Sequence, residues 1–113
     1  MNETELDFLT QVFYTNAPYD YSLEITDKRD KHYHGLCQPD AKVCVLFKPD
    51  SFKSAMFTLL HELAHARMNK GHTYLWEREF VSLLKKYKFT PDEVLNLTSQ
   101  IGPAMKEWIN DNA

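Results

Sequence analysis

Cysteine is nearly absent: Cys37 and Cys44 are the only two in 113 residues. Two thiols cannot build the disulfide framework of a small secreted domain, so the chain reads as one that keeps them free, with packing roles, in a reducing compartment. Long apolar runs are missing too. No stretch approaches the ~20 residues that span a bilayer, and Met1 to Phe8 is acidic and polar where a secretory leader would be cationic and then apolar. The expectation is a soluble, cytoplasmic protein without a membrane partner. Nor is there an excess of positive charge, since 13 Lys plus Arg face 16 Asp plus Glu for a net charge of -3. Such a balance creates no global field toward a phosphate backbone, so charge gives nucleic-acid binding no support. The one basic run, KKYK at Lys85 to Lys88, reads as the solvated face of a helix. Internal repeats, low-complexity tracts and linkers are absent as well.

What is present suffices for one core. Hydrophobic residues make up 43%, with 7 Phe, 6 Tyr and 2 Trp, and the length fits a single domain over residues 1–113. Leu6, Leu9, Val12 and Phe13 recur at three-and-four spacing and predict an amphipathic helix from Asn2 to Thr15, closed by Pro18. Tyr21 to Thr26 alternates as a half-buried strand, and the charged cluster Asp27 to Lys31 is a loop. His32 to Cys37 is a candidate second strand, Pro39 and Asp40 supply turn chemistry, and Lys42 to Phe47 is β-branched and apolar enough for a buried strand. These segments predict a small antiparallel sheet.

Asp50 or Ser51 then caps a long central helix whose core face is Phe52, Ala55, Met56, Leu59, Leu60 and Leu63, with Gly71 as its stop. Tyr74 to Tyr87 carries a further helical pattern, Thr90 and Glu93 form a capping box around Pro91, and Ala104 to Asn110 makes a last short helix. Helix, strands, then helices is an α+β layout.

The chemistry concentrates in HELAH, His61 to His65. Residues four apart share one face of a helix, so the imidazoles of His61 and His65 can address one metal ion, Zn²⁺ above all. Glu62 projects beside that centre without having to ligate it. Its carboxylate is placed to take a proton from a water that zinc brings to a pKa of ~7.

The segments TLLHELAHARMNKGHTYLW and HGLCQPDAKVCVLF resemble the SprT-like metalloprotease domain, in which a Gly-containing strand pair leads to an H-E-x-x-H helix, a Gly-His pair and an aromatic residue. Gly71, His72 and Trp76 match that later part, and the resemblance covers about Tyr21 to Tyr87. It implies a minimal zincin fold with an active-site helix and C-terminal helices. It also implies His61, His65 and His72 as zinc ligands, Glu62 as the catalytic residue, and hydrolysis of peptide bonds in a protein or peptide substrate. The cysteine-rich ribbon that larger members add has no counterpart here.

Two other readings stay open on sequence. ImmA/IrrE-like regulatory metallopeptidases complete the H-E-x-x-H site with a glutamate from the next helix, and WEREFVSLL offers Glu77 and Glu79. A non-catalytic interaction module with a zinc-stabilised core is the second, while the acidic total argues against a nucleic-acid adaptor using Lys85, Lys86 and Lys88. His32 and His34 could bind metal as strand neighbours but read as surface histidines, and Tyr33 and Tyr74 could offer a phenol to a tetrahedral intermediate but read as packed rings with the hydroxyl at the surface, outside the site.

Overall fold

The computed structural model describes residues 1–69 and 71–112. Lys70, which the sequence reading includes in the central helix, lies outside the described residues. Among the described residues five helices and three strands follow in the order α1 (Glu3–Asn16), β1 (Ser22–Ile25), β2 (Gly35–Gln38), β3 (Val43–Leu46), α2 (Phe52–Met68), α3 (Tyr74–Lys86), α4 (Pro91–Leu97) and α5 (Pro103–Asp111). The α+β layout expected from the hydrophobic patterning is therefore the one adopted. Among the described residues no helix is long and apolar enough to cross a membrane.

The sheet departs from the all-antiparallel expectation. Its order is β1-β3-β2, with β2 antiparallel to β3 but β1 parallel to it. The reason lies in which strand can afford the centre. Val43–Leu46 buries Cys44 and Leu46 completely or nearly so, whereas β1 and β2 carry Ser22, Glu24 and Gln38, whose exposure suits an edge. The chain thus passes from β1 to the far edge before returning through the middle, and the last strand runs parallel to the first.

Helix α2 packs on β2 and β3 and is flanked by α1 and α3. Leu59, Leu60 and Leu63 on its core face are fully buried, each worth about 1.5–3 kcal/mol relative to exposure. Ser51 is its cap, accepting from the Ser54 N–H at 3.1 Å. Its stop is not Gly71. Asn69 takes the left-handed conformation at φ 49° and donates its backbone N–H to the His65 carbonyl, a role asparagine fills because its short polar side chain tolerates positive φ.

Side-chain bonds tie the outer helices to this core. Arg67 of α2 pairs with Glu79 of α3 and donates to the Asn16 carbonyl at the end of α1. Within the basic run, Lys86 donates to Oδ1 of the buried Asn16 at 2.7 Å, so one of these lysines has a structural use while Lys85 and Lys88 stay solvated. The predicted capping box of α4 is present, with Thr90 and Glu93 exchanging hydrogen bonds.

Candidate metal centre

His61 and His65 sit one turn apart on the face of α2 that looks away from the packed leucines. The left-handed turn at Asn69 ends the helix, and the short connection to α3 brings His72 back over them. Thr73 fixes that return by accepting from the Trp76 N–H at 3.2 Å, which starts α3. The result is a three-histidine group whose ligand nitrogens all lie within 4.8 Å of one another. His65 Nε2 and His72 Nε2 are 3.1 Å apart. A tetrahedral ion bound at ~2.0–2.1 Å per nitrogen separates its ligands by ~3.3 Å, so the set fits a metal ion with modest ring rotation.

Burial, aided by the neighbouring His61, holds the His72 imidazole below its ordinary pKa. That favours the neutral ring, which is the form that ligates metals.

Glu62 lies against this group. It is only 5% exposed, and its Oε2 is 2.9 Å from His61 Nδ1. The two oxygens are placed there by a close approach of strand to helix. A Cβ on Gly35 would stand 2.6 Å from Thr58 Cγ2 and 3.2 Å from Glu62 Cγ, so only glycine lets β2 lie this near α2.

Aromatic rings close the other side. The indole of Trp76 stacks on His65 at 4.7 Å and 23°, and its centroid is 5.0 Å from His61 and 4.5 Å from His72. Phe80 meets His61 edge-on at 5.3 Å. Such packing restricts the rotamers of the histidines and keeps water from their inner side. The outer side opens into a cleft of about 460 Å³ whose walls include Tyr33, Gly35, Leu36, Cys37, Asn69 and the three histidines with Glu62.

The two glutamates that sequence offered as alternative ligands are engaged elsewhere. Glu77 turns into the α3–α5 junction and accepts from the backbone N–H groups of Gly102, Ala104 and Met105. Glu79 pairs with Arg67. Of the remaining candidates, His32 and His34 are exposed, and Tyr74 donates its hydroxyl to Glu107. Tyr33 does line the cleft, against the expectation that it stands outside the site.

Cys37, Gly35 and the stacking of Trp76 on the histidines were not readable as site features from spacing. The resemblance did mark Trp76 and a glycine-containing strand pair, but it assigned neither a contact with the histidines nor a part for Cys37. No protein-family model, no curated protein and no solved structure matches the chain at a significant level.

Proposed function

We propose that the protein is a zinc-dependent metallopeptidase of the zincin type, similar to the SprT-like domain, hydrolysing peptide bonds in a protein or peptide substrate. One observation carries the reading: a buried carboxylate, Glu62, stands beside three converging histidines at the floor of an open cleft. A site whose metal merely stabilised a core would need neither the acid nor the opening.

In this reading His61, His65 and His72 hold the metal. When bound, zinc lowers the pKa of water to ~7 and polarises a peptide carbonyl. Glu62 takes the proton of the attacking water on its carboxylate and hands it to the departing amine, the general-base then general-acid role. The hydrogen bond between His61 Nδ1 and Glu62 Oε2 keeps the carboxylate oriented. Trp76 and Phe80 hold the rings of His61 and His65 in place. Strand β2 is an edge of the sheet and forms one wall of the cleft, so an extended substrate can add to it through main-chain hydrogen bonds. The glutamate-completed alternative finds no support in the positions of Glu77 and Glu79.

The test is Glu62→Gln, assayed for zinc content and for cleavage of an unstructured protein substrate. The variant keeps about one zinc per chain and loses hydrolysis, because the amide is nearly isosteric but accepts no proton. Cleavage at the wild-type rate would sink the assignment of Glu62, and wild-type protein that takes up no zinc would sink the whole reading.

A further inference from the structure

Two cysteines in a chain this poor in them stand directly opposite each other on neighbouring strands. Cys37 of β2 pairs with Cys44 of β3 in the antiparallel register. The Phe47 N–H donates to the His34 carbonyl at 3.0 Å, which puts the facing positions 34 and 47 in a hydrogen-bonded site, and the pair three residues further on falls in a non-hydrogen-bonded site. In that site opposed Cα atoms approach to about 4.5 Å, inside the span a disulfide bridges. Both thiols are free.

Their surroundings differ. Cys37 forms part of the cleft wall, while Cys44 is fully buried with its Sγ 3.9 Å from the Glu62 carbonyl oxygen. The hydrogen bond from Cys44, only partly offset by burial, holds the Cys37 thiol below its ordinary pKa. The same bond, with burial, pushes the Cys44 thiol up. One sulfur is thus the accessible nucleophile and the other waits behind it.

We infer that Cys37 and Cys44 form a thiol–disulfide site on the cleft wall that takes low-molecular-weight disulfides of the glutathione class. The Cys37 thiolate attacks one sulfur of the small disulfide, forming a mixed disulfide and expelling one thiolate, which takes a proton from solvent. The Cys44 sulfur then attacks Cys37 Sγ, the second small thiolate leaves, and it takes the proton Cys44 gives up. Two protein thiols are oxidised to one disulfide, and one small disulfide is reduced to two thiols. Cys37 is drawn out of the cleft toward β3, and Cys44 loses the proton it holds next to the Glu62 backbone. The chemistry stands whether or not the cleft cleaves peptides.

The probe is glutathione disulfide, added to the folded full-length protein, with acid quenching and intact-mass and peptide-level analysis over time. Wild type passes through a glutathionyl adduct on Cys37 and ends two hydrogens lighter, and reduction by dithiothreitol restores it. Cys44→Ser stops at the adduct. Cys37→Ser stays unmodified while folded. If Cys44→Ser does not fold, the order of modification in wild type decides alone. First modification at Cys44, or an adduct on Cys37 that never resolves into the disulfide, overturns the inference, as does wild type that remains fully reduced.

Discussion

The Gly102 amide donates to the Glu77 carboxylate at 2.9 Å, and this bond decides what Glu77 is for. Gly102 caps α5 without a side chain, and Glu77, from another helix, supplies the missing acceptor to three N–H groups of its first turn. A Cβ at position 102 would run into the Glu77 carboxylate, which would have to shift to admit it. Glu77→Ala should leave three amides without their acceptor and destabilise the fold by about 1–3 kcal/mol, while zinc content stays at wild-type level. Denaturant unfolding with parallel metal analysis checks this, and loss of zinc from the folded variant would return Glu77 to the ligand set.

Removing a proposed ligand should do the reverse. His72→Ala leaves two imidazoles on α2 and should weaken zinc affinity at least tenfold, on the order of the losses seen when a metal site loses a supporting group. Glu79→Ala breaks only the contact with Arg67 and should bind zinc as wild type does. Competition against a chromophoric chelator measures both. A Glu79 variant weaker than the His72 variant would favour the glutamate-completed class.

The pattern of these contacts explains what could be read beforehand. Helix α2 was legible because its period and its N-cap are local, and the spacing of His61 and His65 fixes their shared face as soon as the helix exists. His72 was legible through resemblance and as the first strong metal ligand after the helix stop, yet the left-handed turn lies at Asn69 and not at Gly71, where the sequence reading places it. The parallel pairing of β1 with β3, the close approach at Gly35 and the destination of Glu77 are tertiary facts. Each joins residues far apart in the chain, and no periodicity encodes them.

Acid should loosen the attachment of α4. Lys53 first, and then the Thr90 N–H, hold the Glu93 carboxyl below its ordinary value. A depressed carboxyl contributes stability above its unfolded pKa, ~4.3, and loses that contribution as pH falls through the lower folded value. The acid limb of a plot of melting temperature against pH should therefore be shallower in Glu93→Gln than in wild type. Superimposable acid limbs would show that the pair with Lys53, which is solvated, carries no net linkage.

Gly35→Ala should separate positioning from metal binding. The added methyl meets Thr58 Cγ2 at 2.6 Å and forces β2 away from α2, at a cost of about 1–3 kcal/mol. Glu62 Cγ lies next to the same point, so peptide cleavage should fall while zinc remains bound. Thr58→Ser removes the colliding methyl and should recover part of both losses when combined with Gly35→Ala. Full additivity of the two substitutions in stability would argue that the clash is relieved elsewhere.

Trp76 makes the metal site readable by its own emission. Its indole is within 5.0 Å of all three histidine rings by centroid, is buried, and has an Nε1 without a hydrogen-bond partner among the described residues. Trp108, the other tryptophan, is on α5 and makes none of these ring contacts. A paramagnetic ion held by His61, His65 and His72 therefore sits against the indole of Trp76. Titrating metal-free protein with Co²⁺ should quench part of the emission and saturate at about one equivalent per chain. Trp76→Phe preserves an aromatic ring against His65, so it should still bind Co²⁺ by its absorption bands but lose most of the quenching. Retention of the full quench in Trp76→Phe would place the metal nearer Trp108 and away from the three histidines.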